Sequence, residues 1–379
     1  MFDVRLPLSG ERFGVVYRLT GTEAEAHAKA RDICVEQTIE FPADLVTGGD
    51  IRTHILGRIE LLQPAPEGGF EATISYAVET TGFELTQFLN VVFGNSSIKP
   101  GIRVERLELS PGLLQAFKGP RFGRDGLRGL LGAPTRPLLC TALKPMGLSA
   151  EALAEFAYRF ALGGMDVIKD DHGLANQSFA PFKERIERCA EAVARANRET
   201  GGKCIYMPNI TGPADQVTEN ARFAKQAGAG GLLISPGLTG FDAMRRIADD
   251  DAIALPVMGH PAFLGSYVTS PDSGISHYAL FGQIMRLAGA DVTIFPNYGG
   301  RFSFSQEDCR SVAEGAAVAM GHIKPIFPAP GGGMDLSRIP DMLETYGYDV
   351  MFLIGGALHK RGPDLVANAR YFRSLADQI

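Results

Sequence analysis

The chain has 379 residues, of which 45% are hydrophobic and 21% charged, a composition typical of a globular protein and too apolar for a disordered one. Its 37 basic and 43 acidic residues give a net charge of −6 without any basic run, which excludes the electropositive stripe of a nucleic-acid-binding surface. No apolar stretch approaches the ~20 residues of a membrane span, and residues 1–8 lack the apolar segment of a secretory signal. We therefore expect a cytoplasmic protein that contacts neither nucleic acid nor membrane.

Residues 1–118 predict a small α+β domain, because segments with strand character are interleaved with segments of helical character. In chain order these are strand Val15–Leu19, helix Glu23–Glu36, strand Gly69–Val78, helix Phe83–Phe93 and strand Ile102–Leu109. This order is typical of a ferredoxin-like fold, in which helices cover one face of an antiparallel sheet. Residues 119–135, rich in Gly, Arg and Pro, are predicted to be a linker.

Residues 136–379 repeat a strand followed by a helix. The predicted strands are Leu138–Leu143, Asp166–Lys169, Cys204–Asn209, Gly231–Ser235, Ala254–Gly259, Asp291–Phe295, Pro325–Ala329 and Val350–Ile354. Eight such units in about 240 residues match a (β/α)8 TIM barrel, whose short apolar strands are buried on both faces. The competing fold is an open doubly wound sheet, but no GxGxxG follows the first strand. The sequence therefore predicts an α/β protein with a C-terminal (β/α)8 TIM barrel and a smaller N-terminal α+β domain.

Polar residues and glycines follow the predicted barrel strands, at the end where TIM barrels carry their active sites. In strand order they are Lys144, Lys169–His172, Asn209, His260, Arg301, the loop Gly331, Gly332 and Gly333, and the pair Gly355 and Gly356. Because side chains alternate along a strand, Lys169 and Asp171 are expected on one side, where they and His172 could hold Mg²⁺. A solvated turn with incidental charge is the alternative interpretation of this cluster.

Two further features predict a site for a phosphorylated substrate. The glycine loops after the last two strands resemble a phosphate cradle, since bare backbone N–H groups can approach an anion closely; the alternative is that glycine merely forms these turns. His260 is a candidate for proton transfer because it lies at a strand end, whereas a buried core histidine is the alternative.

The run Gly163–Asp171, followed by Asn176, Gln177 and Phe179–Phe182, resembles the signature of the RuBisCO large-subunit superfamily. The similarity extends to Thr141–Gly147, His260, Ser270–Ser276, both glycine loops, Glu36 and Gly94–Asn95. The resemblance implies that CO₂ carbamylates Lys169, which then binds Mg²⁺ with Asp171 and the residue after it. It also implies that Glu36 and Asn95 reach into the active site of a partner subunit, so that the protein is at least a homodimer with shared active sites.

The sequence departs from the carboxylating members at four positions. His172 stands where they have Glu, Met146 where they have a second lysine, Pro261 where they have a phosphate-binding arginine, and Arg301 where they have a lysine. These differences argue against CO₂ fixation. The chain is therefore identified as a RuBisCO-like protein of the type IV division.

The remaining residues suggest a partial reaction of the family, on a phosphorylated sugar or sugar acid. Lys144 would protonate or stabilise an enediolate, and Arg301 would clamp a substrate carboxylate. The sequence therefore predicts a metal-dependent lyase that decarboxylates a 3-oxo sugar-acid phosphate or transfers its carboxylate. The alternatives are an enolase or isomerase of a methylthio-pentulose phosphate, and a non-catalytic sugar-phosphate sensor.

Overall fold

The computed structural model describes residues 4–46, 48–334 and 339–378, which divide into two compact units. The first unit comprises the described parts of Met1–Lys118, Leu264–Ile284 and Ala319–Ile323, and the second those of Gly119–Phe263, Met285–Val318 and Lys324–Ile379. Among these residues, no helix combines the length and apolar character needed to cross a membrane.

The first unit is a five-stranded sheet with helices. Its elements are β1 (Arg12–Leu19), α1 (Glu23–Glu36), β2 (Arg58–Pro64), β3 (Phe70–Ala77), α2 (Leu85–Phe93), β4 (Ile102–Glu108), α3 (Pro111–Leu114), α10 (Gly265–Val268) and β10 (Gly274–Ile275), with short 3₁₀ or π-helical turns at Ala43–Leu45, Ile51–Ile55, Val78–Thr81, Asn95–Ile98 and Tyr278–Ile284. The strands lie in the order β10-β4-β1-β3-β2. All pairs are antiparallel except β10 with β4. All five predicted elements are present in the predicted order, and the structure adds β2 and β10, which the sequence analysis did not predict.

Residues 264–284 belong to the first unit although they lie within the range 136–379 predicted for the barrel. Ile275 pairs with Val104 on the edge strand β4, and the Gln283 side chain bonds both the N–H and the C=O of Leu107. The side-chain amide of Gln283 therefore makes hydrogen bonds at the edge of β4 like those that a further strand residue would make. Sequence periodicity could not show this pairing, because it joins segments more than 160 residues apart.

The second unit contains eight parallel strands, as predicted. Its elements are α4 (Gly123–Leu131), β5 (Leu138–Leu143), α5 (Ala150–Leu162), β6 (Val167–Asp170), α6 (Phe182–Thr200), β7 (Ile205–Met207), α7 (Val217–Gln226), β8 (Leu232–Ile234), α8 (Pro236–Thr239), α9 (Phe241–Asp249), β9 (Val257–Gly259), α11 (Met285–Leu287), β11 (Val292–Pro296), α12 (Gln306–Ala317), β12 (Phe327–Gly331), α13 (Ile339–Tyr346), β13 (Met351–Leu353), α14 (Gly356–Lys360) and α15 (Leu365–Asp377).

The eight strands form two parallel sheets that together give a TIM-barrel arrangement. Their orders are β13-β5-β6-β7 and β12-β11-β9-β8. A parallel bridge between Asn209 and Leu233 connects β7 with β8, and β12 lies beside β13. The strands are buried along almost their whole length, which is why they read as continuous apolar runs in the sequence.

Alternate strand residues form the core inside the barrel. This core contains Leu138 and Cys140, Val167, Ile205 and Met207, Leu233, Met258, Val292 and Ile294, Phe327 and Ala329, and Met351. Leu127 and Leu131 of α4 pack into the same cluster. Part of the predicted linker 119–135 is therefore a helix that covers one end of the barrel core.

Candidate active site

The alternation of core residues shows which side chains reach the barrel interior at the carboxyl ends of the strands. On β6, Val167 lies in the core, so Lys169 and Asp171 face inward as well. Continuing the same alternation places Lys144 after β5 and His260 after β9 on the inward side. These are the residues that the sequence predicted to converge.

Lys144 and Asp171 form an ion pair. The Lys144 Nζ lies 2.8 Å from Asp171 Oδ1, and the lysine side chain is 40% exposed whereas that of the aspartate is 12% exposed. Burial disfavours the Asp171 carboxylate, but His172 and Lys144 outweigh burial, so the pKa of Asp171 is lowered. Asp171 is therefore a carboxylate that holds a solvent-accessible ammonium group at the mouth of the barrel.

Lys169, unlike Lys144, is buried. Its side chain is 2% exposed, and Nζ donates a hydrogen bond to the backbone oxygen of Asp170 at 3.1 Å. Burial lowers the pKa of Lys169, because removing an ammonium group from water disfavours its charged form. The fraction of uncharged amine is consequently larger than for an exposed lysine.

His172 and His260 stack on each other. Their ring centroids are 4.4 Å apart and their planes are 11° from parallel. The Nδ1 of His260 accepts a hydrogen bond from Ala262 N at 3.1 Å, so the proton of the neutral ring lies on Nε2. Burial, and after it the proximity of Lys169 and His172, holds the pKa of His260 far below its usual range. His260 is thus a neutral hydrogen-bond donor at neutral pH.

The turn that carries Asp171 and His172 is anchored from its outer side by Asp170. This carboxylate accepts hydrogen bonds from Arg185 Nε at 3.1 Å, Tyr206 OH at 2.7 Å and Asn209 N at 3.0 Å. The Asn209 side chain in turn donates to the backbone oxygens of His172 and Leu174. Sequence reasoning missed Arg185 and Tyr206, because an arginine within a charged amphipathic helix gives no signal that it is fully buried.

The loop after β11 packs against the glycine loop after β12. A Cβ placed on Gly300 would lie 2.1 Å from Gly332 O, and one placed on Gly332 would lie 3.1 Å from the Phe302 ring. Gly332 also has a φ of +82°, which side chains other than glycine rarely adopt. The guanidinium of Arg301 lies 5.1 Å from the Phe302 ring centre. The predicted substrate-binding residue Arg301 and the Gly331–Gly333 loop therefore lie in neighbouring segments.

The remaining predicted residues are Gly355 and Gly356, which follow β13, and Glu36 and Asn95. A Cβ added to Gly355 or Gly356 would meet no atom within 4 Å, so the backbone at the start of α14 borders open space. Glu36 and Asn95 lie in the first unit, where Asn95 Nδ2 is 3.5 Å from Glu36 Oε2. Lys99 Nζ lies 3.8 Å from Glu36 Oε1.

The unmodified side chains do not fit Mg²⁺. Across residues 4–46, 48–334 and 339–378, no three His, Cys, Asp or Glu side chains are arranged to hold a metal ion. Mg²⁺ prefers six oxygen ligands, whereas the predicted trio offers the amine of Lys169, the carboxylate of Asp171 and an imidazole of His172 that stacks on its neighbour. A carbamate on Lys169 would replace the amine with a carboxylate group, and water or substrate oxygens would supply the remaining ligands.

Comparison with known proteins identifies the family. Residues 125–374 match the model of the ribulose bisphosphate carboxylase large chain, catalytic domain. The ribulose bisphosphate carboxylase-like protein 1 of Rhodopseudomonas palustris is 41% identical over 362 residues, 96% of each chain. A protein of Rhodospirillum rubrum named 5-methylthioribulose-1-phosphate isomerase is 39% identical over 92% of this chain and 91% of its own.

The fold comparison agrees with these relatives. The crystal structure of a Rubisco-like protein from Rhodopseudomonas palustris superposes with a TM-score of 0.87 at 37% identity, covering 97% of this chain and 98% of that one. Together with the inward-facing lysines and glycine loops, these matches show that the chain belongs to the ribulose bisphosphate carboxylase large-chain family, as one of its RuBisCO-like members.

Proposed function

We propose that the protein isomerises a methylthio-pentulose phosphate, with 5-methylthioribulose 1-phosphate as its substrate, through an enediolate. This was the alternative interpretation of the sequence. It displaces decarboxylation of a 3-oxo sugar-acid phosphate because the enzyme relative reported above carries an isomerase name at 39% identity. An isomerisation needs only groups that give and take protons, and no carboxylate leaves.

The observation that carries this proposal is the Lys144–Asp171 ion pair at 2.8 Å. The ammonium group is accessible at the mouth of the barrel, and the carboxylate fixes its position. Lys169, as its carbamate, would take the proton from the carbon beside the carbonyl, and the electron pair of that C–H bond would form the enediolate. Lys144 would donate a proton to the oxygen on which negative charge develops, and the neutral Nε2–H of His260 would donate a hydrogen bond to a second oxygen. Return of a proton to the former carbonyl carbon would complete the isomerisation. The Gly331–Gly333 and Gly355–Gly356 backbones would bind the phosphate.

Arg301 separates the two reactions. A 3-oxo sugar acid has a carboxylate for its guanidinium, whereas the methylthio sugar has none. We therefore expect Arg301→Ala to change turnover of the methylthio substrate little, because the side chain stacks on Phe302 rather than on a group at the Lys144–Asp171 pair.

The cofactor in this proposal is Mg²⁺, held by carbamylated Lys169 and Asp171. When bound, it would polarise the substrate carbonyl and so acidify the neighbouring carbon. The lowered pKa of Lys169 supports the modification, because CO₂ reacts with the uncharged amine. His172 would contribute through its stacking on His260.

A homodimer with shared active sites is the second part of the proposal. Glu36 and Asn95 lie close together in the first unit and remain partly exposed, as residues that enter a partner's site must. Two inactive variants, Lys144→Met and Asn95→Ala, should complement each other when mixed and refolded, recovering about a quarter of wild-type activity if subunits pair at random. No recovery would refute shared sites.

The deciding experiment is NMR in D₂O with Mg²⁺ and bicarbonate. 5-Methylthioribulose 1-phosphate should isomerise and gain deuterium at the exchanged carbon, and a 3-oxo sugar-acid phosphate should keep its carboxylate. Lys144→Met should abolish both exchange and isomerisation, whereas Lys225→Met, at an exposed position of α7, should not. Absence of exchange in the wild-type protein would refute the proposal and favour a sensor.

A further inference from the structure

Ser235 has a buried hydroxyl that the fold does not use. It follows β8, is 1% exposed, and its Oγ has no hydrogen-bond partner among the described residues. Ser235 is the residue before α8, yet its side chain does not cap that helix, although serine at this position usually does so. A buried polar group without a partner costs stability, so the hydroxyl calls for another explanation.

The backbone around Ser235 fixes where its side chain points. Its φ of −103° and ψ of 93° are extended, and its N–H donates to Thr211 Oγ1 at 3.0 Å. Leu233 lies in the barrel core, so the alternation along β8 turns Ile234 outward and Ser235 inward. The hydroxyl therefore faces the interior at the same end of the barrel as Lys144 and Lys169.

Its neighbour on the inward side is His260. The register of β8 and β9 pairs Leu233 with Met258 and Ile234 with Gly259, and His260 N continues the ladder by donating to Ile234 O at 2.8 Å. The next pair along the ladder is Ser235 and His260, on strands about 4.8 Å apart. A hydroxyl and an imidazole N–H are thus placed side by side at the mouth.

Orientation distinguishes Ser235 from the other buried hydroxyls without partners on the described barrel strands. Thr141 and Thr293 also lack hydrogen bonds among the described residues, but each lies between two inward-facing positions of its strand. Their hydroxyls therefore point away from the barrel interior, where no substrate can reach them.

We propose that Ser235 Oγ and His260 Nε2 form a polar subsite that binds a hydroxyl or carbonyl oxygen of the sugar chain. The hydroxyl can donate or accept, and the imidazole donates. The identity of the sugar rests on the proposed function, whereas the subsite itself rests on the buried hydroxyl and its register with His260.

The first test is kinetic. Ser235→Ala should lower kcat/KM for 5-methylthioribulose 1-phosphate by about 2- to 12-fold, the value of one neutral hydrogen bond. Thr293→Val, which removes a buried hydroxyl on the outer side, should leave kcat/KM unchanged. An active wild-type enzyme with an unaffected Ser235→Ala variant would overturn the subsite and leave the proposed function standing.

The second test needs no substrate. Ser276→Ala is the matched control, because that serine is also buried but bonds both Glu105 O and Ala279 N. We expect Ser276→Ala to lower the melting temperature and Ser235→Ala to leave it equal or higher. An equal loss in both variants would show that the fold uses the Ser235 hydroxyl. If the wild-type protein does not turn over the methylthio sugar, the proposed function is refuted. The melting temperatures of Ser235→Ala and Ser276→Ala then decide on their own whether the fold uses the Ser235 hydroxyl.

Discussion

Asp291 holds three backbone segments of the second unit together, and its replacement by asparagine tests how much this carboxylate contributes. The side chain is fully buried. Its Oδ1 accepts from Phe122 N at 2.8 Å and Gly123 N at 2.7 Å, and its Oδ2 accepts from Val257 N at 2.9 Å. The carboxylate therefore fixes the start of α4 and the start of β9 from a position just before β11.

Asp291→Asn keeps the shape but replaces one acceptor oxygen with an NH₂ group. If the remaining oxygen of the new asparagine side chain accepts the hydrogen bonds from Phe122 N and Gly123 N, its NH₂ group faces Val257 N–H. Both of these groups are donors, so Val257 N–H is left without an acceptor. At pH 8, above the pKa of about 6 to which burial raises the Asp291 carboxyl group, losing a hydrogen bond to the charged group costs about 1.5–3 kcal/mol. Asp291→Ala leaves the N–H groups of Phe122, Gly123 and Val257 without this partner; the latter two hydrogen bonds are buried, and their loss alone should cost about 2–6 kcal/mol, at about 1–3 kcal/mol for each.

Urea unfolding followed by far-UV circular dichroism measures these losses, and hydrogen exchange with mass spectrometry localises them to residues 119–131 and 253–259. Asp251→Asn is the control, because that carboxylate is 82% exposed and should contribute less than about 1 kcal/mol. A stability of Asp291→Asn within 0.5 kcal/mol of the wild type, on the order of the usual surface-substitution scatter, would refute the reasoning.

Three further predictions concern the site. Gly300→Ala should raise the KM for the phosphorylated substrate by about tenfold or more, because its Cβ would lie 2.1 Å from Gly332 O and force the two loops apart. Gly129→Ala is the control, because a Cβ on Gly129 meets nothing within 4 Å. This control variant should leave KM unchanged in the same kinetic assay. The pKa of His260 in the folded protein lies below its value in the unfolded chain, so below about pH 6.5 the unfolded chain binds one more proton at this residue. The free energy of unfolding therefore decreases as the pH is lowered, and His260 alone should account for a loss of about 1.4 kcal/mol at pH 5.5. Urea unfolding at pH 7.5 and 5.5 should show this loss in the wild type and not in His260→Gln, and equal losses would contradict it. Electron paramagnetic resonance should detect Mn²⁺ binding to the wild-type protein only when bicarbonate is present, and Lys169→Ala should bind no Mn²⁺. Binding of Mn²⁺ to the wild-type protein without CO₂ would exclude the carbamate.

The sequence was most informative where a rule of local geometry applies. Alternation along the strand predicts that Lys169 and Asp171 share a face, and strand spacing predicts all eight barrel strands. The partner of Asp171 could not be predicted in this way, because the ion pair with Lys144 depends on how β5 and β6 are set side by side.

Other features were hidden because the residue types are ordinary. Ser235 reads as the end of a short strand, and Asp291 as the polar residue before one. Their roles follow from burial and from partners distant in the chain, which a single sequence does not contain. The structure locates the residues of the Mg²⁺ prediction, whereas the carbamate on Lys169 that would make this site anionic stays a prediction.

The opposite orientations of Lys169 and Asp170 bear on how this family diversifies. Asp170 fixes the end of this strand through hydrogen bonds from Arg185, Tyr206 and the main-chain N–H of Asn209. Substitutions at positions 169, 171 and 172 remove none of these three hydrogen-bonding groups. A new reaction can then evolve on an inherited scaffold without prior refolding of the strand. For directed evolution, this arrangement recommends randomising positions 169, 171 and 172 while keeping Asp170 and Arg185 constant.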